Sequence, residues 1–197
     1  MSDLGLDALT VRAKTGCEAV TVGGVPMGVT VLDFWQWACS DLANNAMRGV
    51  LAEYLVGQAL GCVSGQTRTE WDAYDLLTPE GRRVEVKSAA YLQSWSQTRL
   101  SAIAFDIRPT TGWDATTNTT AAERRRQAEI YVFCLLHHCH KPTVDPLDTD
   151  QWTFYVLPTA RLDAELGTQK RLSLNGLKRL DPRVGTFIDL PALVALE

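Results

Sequence analysis

The chain has 197 residues, with 19 Lys and Arg against 23 Asp and Glu, a net charge of −4, 46% hydrophobic and 21% charged residues. This is the make-up of a soluble globular protein long enough to bury one core, and the negative balance excludes an indiscriminate polyanion binder. No apolar run reaches the roughly 20 residues of a membrane helix, and no basic start leads into an apolar stretch as in a secretory signal.

Cysteines at positions 17, 39, 62, 134 and 139 have no regular spacing, which predicts reduced thiols and a cytoplasmic location. Residues 1–30, with Gly23, Gly24 and Gly28 and few large apolar side chains, read as an arm or cap holding short strands near 21–22 and 29–32. A short helix is expected over 33–42. Asn44 and Asn45 can cap a second, from Ala46 to about Leu60, ended by Gly61. That helix is apolar nearly all round and so predicted buried on most of its circumference. Its charges are Arg48 and Glu53. Glu53 has no basic residue at i±4, and an unmet carboxylate on such a helix needs a cation or hydrogen bonds.

Residues 71–77 and 82–88 read as two strands joined through Thr78-Pro79-Glu80-Gly81, a turn sequence. In the second strand Val84 and Val86 alternate with Glu85 and Lys87, so the acid and the lysine share a face. Asp75 precedes them across the turn. Asp72, of opposite parity, is its rival, and register decides between them, with Asp75 preferred. A polar, aromatic connection follows over 88–97. A strand is then expected over 99–108, stopped by Pro109, a loop over 110–118, and a helix from Thr119 or Thr120 to Gln127.

The apolar run 130–136 is the best candidate for a central strand, and 152–157 forms another, stopped by Pro158. Short helices are expected over 159–166, 174–180 and 190–196. The predicted fold is α/β: a mixed central β-sheet of about five strands flanked by helices, in a single domain spanning 1–197, with the arm at 1–30 and a C-terminal part at 137–197.

Three carboxylates around a lysine suit phosphodiester hydrolysis. Hard oxygen ligands hold Mg²⁺, and a neighbouring lysine can orient or deprotonate water, or steady the developing oxyanion. The order Glu53, Asp75, Glu85-Val86-Lys87 on helix, strand and strand resembles the PD-(D/E)xK nuclease superfamily, over residues 44–136. The resemblance implies a restriction-endonuclease-like core. It implies metal binding by Asp75 and Glu85, assisted by Glu53, with Mg²⁺ (or Mn²⁺) as cofactor and Lys87 serving the water. Tyr74 stands where the superfamily's proline precedes the aspartate.

The implied function is a Mg-dependent endo- or exodeoxyribonuclease of restriction, defence or repair, acting on DNA, with a homodimer able to cut two strands. A non-catalytic nucleic-acid-binding or assembly protein that keeps the nuclease fold is the alternative. Gln93, Gln97 and Arg99, downstream of the triplet, are candidate substrate contacts. Residues 82–126 carry eight basic against four acidic residues, a local excess compatible with phosphate binding. Arg124-Arg125-Arg126, on the predicted helix, would spread around it. His137, His138 and His140 lack zinc spacing, and no GxSxG, GxxxxGK[ST] or GxGxxG loop occurs, so no nucleotide cofactor is expected.

Overall fold

The computed structural model describes residues 9–65, 67–68, 73–114 and 119–195. Its centre is the run that is apolar on both faces. Strand β8 (Ile130–Leu136) is buried at all seven positions. We number the earlier strands β1 (Ala19–Val22), β2 (Val25–Thr30), β3 (Leu76–Leu77), β4 (Arg83–Ala90), β5 (Ala104–Asp106), β6 (Thr110–Asp114) and β7 (Thr119–Arg125), and the later ones β9 (Trp152–Pro158), β10 (Arg171–Ser173) and β11 (Arg183–Gly185). The helices are α1 (Val31–Cys39), α2 (Asn45–Ala59), α3 (Thr159–Leu166), α4 (Leu174–Arg179) and α5 (Leu190–Ala195).

The main sheet has five strands in the order β11-β9-β8-β4-β3. β8 runs parallel to β4, from Val84 opposite Ile130 to Ala90 opposite Leu136, and antiparallel to β9. The α/β class with a mixed, helix-flanked sheet is therefore observed. Side-chain alternation splits the core between the two faces. Val84, Val86, Val132, Phe154 and Val156 pack with α2 and α5, while Tyr131, Phe133, Leu135 and Leu157 pack with Phe105, Leu162, Leu172 and Leu177 on the other side.

Helix α2 begins where the Asn44 side chain accepts from Met47 N at 2.9 Å, and the chain leaves it through Gly61 at φ +70°. Its Leu51, Ala52, Leu55 and Val56 are buried, but Tyr54 is 53% exposed, so burial is less complete than the composition predicts. Gly57 sets how close the helix comes. A Cβ there would stand 2.3 Å from Val63 Cγ1 and 3.2 Å from Leu76 Cδ2.

Several expectations are corrected. The strand expected over 71–77 reduces to Leu76–Leu77, with Trp71 and Asp72 outside the described residues. The strand expected over 99–108 reduces to Ala104–Asp106 and pairs with β10 in a separate two-stranded sheet. Within the predicted loop and helix of 110–127, residues 110–114 and 119–125 instead pair as antiparallel strands, the β6–β7 hairpin, with 115–118 outside the described residues. Ala-Ala-Glu-Arg-Arg favours a helix locally, but pairing with the threonine-rich partner strand overrides that preference.

An anchor at the hairpin's base works the same way. Buried Arg126 donates to Ile107 O at 2.9 Å and Gly167 O at 2.8 Å, and pairs with Asp163. Gln127 Nε2 donates to Thr110 O at 2.9 Å. Neither residue could keep these bonds if the segment coiled.

The N-terminal arm is a second hairpin, β1 with β2, turning through Gly23 and Gly24 at φ +56° and +82°. α1 follows, opened by a capping box between Thr30 and Asp33 and starting at Val31, earlier than expected. Among the described residues before Arg48, only Gly16 is buried. No helix among the described residues is long and apolar enough to cross a membrane.

Candidate functional site

Alternation along β4 puts Glu85 and Lys87 on one face, and Lys87 Nζ donates to Glu85 Oε1 at 2.5 Å. The pair is only partly open, with side chains 27% exposed for Lys87 and 18% for Glu85. Asp75 arrives from the sheet edge. Its N–H donates at 3.1 Å to the carbonyl oxygen of Val84, the residue already opposite Leu76, so the chain leaves the β3 register here. One position further the ladder has ended, and the Val86 N–H donates to Asp75 Oδ2 at 2.6 Å instead. A side chain thus takes the place of a strand, and this fixes the carboxylate beside Glu85 and Lys87.

The electrostatics follow from crowding. Burial and then the Glu85 charge push the Asp75 carboxyl up to about 7, with Glu53 adding to the rise and Lys87 and the Val86 hydrogen bond opposing it. Burial disfavours the Lys87 ammonium, but Glu85 and Asp75 outweigh it and raise that group above its ordinary value. Lys87 is therefore an ammonium at neutral pH, a donor to Glu85 that also feels the Asp75 charge.

Glu53 reaches the same neighbourhood from the other side. It lies one helical turn before Gly57, on the face of α2 that closes on Leu76. Glu53, Tyr54, Arg68, Tyr74, Asp75 and Leu76 line one cavity of about 340 Å³. The expectation that Glu53 lacks a basic partner is corrected. Arg68 binds it through two bonds, Nε to Oε2 at 2.5 Å and Nη2 to Oε1 at 3.0 Å. Arg68 lies fifteen residues on, in the connection between α2 and β3, beyond the reach of helical spacing.

The donor set suits a hard cation. Among the described residues no three His, Cys, Asp or Glu side chains converge as a closed metal cage. An ion here would rest on Asp75 and Glu85 with water completing its shell, which is how Mg²⁺ is usually held. Burial first, and then the Glu85 charge, raise the Asp75 carboxyl, and Lys87 only partly offsets them.

The glutamines lie deeper than expected. Gln93 is buried, and its Nε2 donates to Ala90 O at 3.1 Å and Ser101 Oγ at 3.2 Å. Gln97 accepts from Gln93 N at 2.7 Å and donates to Tyr91 O at 3.1 Å. Both tie down the loop after β4, while Arg99 is exposed and lines an open groove with Tyr91 and Trp95. Gln93 Oε1 also accepts from Arg48 Nη1 at 3.4 Å. Arg48, unremarkable in the sequence, is buried, with Asn45 Oδ1 and Ala43 O as its other acceptors.

The histidine run is absorbed by threonines. His137 bonds Thr153, and His138 and His140 both bond Thr143.

The position of the β6–β7 hairpin has no signal in the sequence. Its strand passes Ala73 at Gly112, where an added Cβ would lie 3.5 Å from Ala73 Cβ, two residues before Asp75. Arg124 and Arg125 on that hairpin are exposed. A family model described as bacteriophage T4 endonuclease IV matches residues 35–159, a span that contains Glu53, Asp75, Glu85, Lys87 and the hairpin. No curated protein matches the chain.

Proposed function

The chain belongs to the bacteriophage T4 endonuclease IV family, and on that premise we propose that it hydrolyses DNA phosphodiester bonds with a divalent cation, Mg²⁺ or Mn²⁺, held by Asp75 and Glu85. The observation that carries this reading is the half-buried Asp75 carboxylate, pinned by Val86 N–H at 2.6 Å and crowded by Glu85 beside Lys87. Two acids forced together next to an ammonium are costly in a protein that only binds nucleic acid, because they repel phosphate.

The bound cation would supply Lewis acidity and lower the pKa of water at the scissile phosphate. Asp75 and Glu85 hold the ligand oxygens in place, the first through Val86 and the second through Lys87. Lys87, charged at neutral pH, orients the attacking water by donating to it and stabilises negative charge growing on the phosphate oxygens. Its raised pKa supports the donor role over that of a general base. Glu53 completes the acidic wall when Arg68 yields it. Arg124 and Arg125 supply phosphate contacts on the flanking DNA. The restriction-endonuclease-like reading of this site, and a place in restriction, defence or repair, belong to the same proposal.

The test is cleavage of linear, supercoiled, single-stranded and branched DNA, and of RNA, in Mg²⁺, Mn²⁺ or EDTA. Wild type should cut DNA only with metal, and Asp75→Ala and Lys87→Ala should cut at least about 10²-fold more slowly. Equal behaviour of wild type and Lys87→Ala on every substrate would overturn the assignment. Tight DNA binding with no cleavage under any condition would favour the non-catalytic alternative.

A further inference from the structure

We infer that the N-terminal arm, β1, β2 and α1, is the face through which two copies of this chain form a homodimer, an inference independent of the catalytic reading. A two-stranded hairpin alone is marginal in water, and this one carries Val20, Val22, Val25, Met27 and Val29 all exposed. On α1, Leu32 is 50%, Phe34 55% and Trp37 85% exposed, and the helix has no buried residue. No residue of the arm belongs to either core cluster.

The uncovered apolar area is on the order of 1,000 Å², above the few hundred that a monomer ordinarily leaves open and close to one partner's share of a standard interface.

Charge argues for a second copy as the occupant. Asp33 is the one charged residue in 19–39, and its carboxylate is occupied by Thr30 N at 2.6 Å and Thr30 Oγ1 at 2.8 Å. Two chains of net charge −4 repel over most of their surfaces, yet can meet here without opposing like charges. The absence of Lys and Arg from 19–39 argues against DNA as the occupant.

The hairpin offers its own complement as well. β1 and β2 form a sheet of two strands, so each has an outer edge open to pairing. Two hairpins related by a two-fold axis would join edge to edge, with the α1 helices closing over the apolar faces.

Sedimentation velocity of the full chain tests this. Wild type should be a dimer at about 10 μM, and Phe34→Asp/Trp37→Asp and Val22→Lys/Val25→Lys should each weaken association at least about tenfold, with unchanged far-UV circular dichroism. Hydrogen exchange on wild type needs no variant: residues 19–39 should gain protection as concentration rises through the dimer transition. A wild-type monomer at about 100 μM overturns the inference. So does a dimer that neither variant weakens, or one whose protection falls outside 19–39. A monomer whose arm instead binds phosphatidylcholine vesicles also overturns it, assigning the apolar face to lipid.

Discussion

Asp75 Oδ2 accepts a hydrogen bond from Val86 N–H at 2.6 Å, so a carboxylate fills the edge of β4 where its partner strand stops. The bond holds Asp75 where Glu85 also stands, and burial together with that second charge raises its carboxyl to about 7 from an ordinary 3.8. An acid whose pKa is raised on folding favours the native state when protonated. That advantage is complete below the unfolded pKa and is lost as pH climbs through about 7.

Thermal melts in EDTA should therefore show stability falling as pH rises from about 5 to about 8, by at most about 3 kcal/mol. Asp75→Asn should flatten the curve. Mg²⁺ should restore wild type at about pH 8 more than at about pH 5, because a carboxyl still holding its proton is a poor ligand. If Asp75→Asn melts with the wild-type pH slope, this carboxyl is not the titrating group.

Lys87→Ala should lower kcat by about 10²- to 10³-fold, the usual worth of one positioned donor to developing negative charge. Metal-induced stabilisation should persist, since the two carboxylates remain. Lys87→Arg should not rescue, because a planar guanidinium cannot stand in for a compact ammonium beside Glu85. Single-turnover cleavage measured beside melts with and without Mg²⁺ separates the roles. Loss of both cleavage and metal response would make Lys87 a scaffold residue.

What the sequence can reveal depends on how local the causes are. Period-two alternation in 83–87 and the continuous apolar run of 130–136 determine strands without outside help, and both strands are present. The Thr78–Gly81 turn likewise foretells the pairing of Leu76 with Val84. Glu53 stands out as an unmet charge, but its partner is a loop arginine fifteen residues away that no helical spacing reaches. Residues 119–125 read as a helix because their propensity is helical. What holds them extended is long-range, namely the β6 ladder and the carbonyls that Arg126 binds from Ile107 and Gly167. The arm at 1–30 is legible from its few large apolar side chains, but the exposure of Leu32, Phe34 and Trp37 on α1 is not, because apolar side chains at helical spacing ordinarily signal burial.

Arg68→Ala separates two uses of Glu53. The pair is two-bonded and half-buried, with Arg68 42% and Glu53 15% exposed, so its loss should cost about 1 to 3 kcal/mol of stability. If Glu53 assists the cation, freeing it should tighten Mg²⁺ binding, read as a lower midpoint in a metal titration by isothermal calorimetry. An unchanged midpoint would confine Glu53 to its pair with Arg68.

The β6–β7 hairpin should show itself in salt dependence. Each phosphate contact contributes a slope of roughly −0.9 in a plot of log affinity against log salt. Replacing exposed Arg124 and Arg125 by Ala should thus reduce the slope by up to about 2 for duplex DNA, with similar weakening across sequences. The measurement is fluorescence anisotropy with labelled DNA in Ca²⁺ from about 50 to about 300 mM salt, on the order of the range where such slopes are read. An unaltered slope would remove the hairpin from the DNA path.

Gly57→Ala tests whether α2 is spaced to deliver Glu53. By helix propensity alone, alanine should stabilise by about 1 kcal/mol. The new Cβ would lie 2.3 Å from Val63 Cγ1 and 3.2 Å from Leu76 Cδ2. Val63 is β-branched with few rotamers to escape into, and Leu76 is buried next to Asp75. Overpacking of this kind costs about 1 to 3 kcal/mol, so the clash should outweigh the propensity gain and lower the melting temperature by a few degrees. The strain has one soft outlet, a small retreat of α2 from the β3 edge, and Glu53 sits on the retreating face one turn away. Metal affinity should then weaken together with stability, whereas a control at exposed Gln58, Gln58→Ala, should change neither. A Gly57→Ala protein more stable than wild type, with unaltered metal binding, would show that the spacing is slack and that Glu53 owes its position to Arg68 instead.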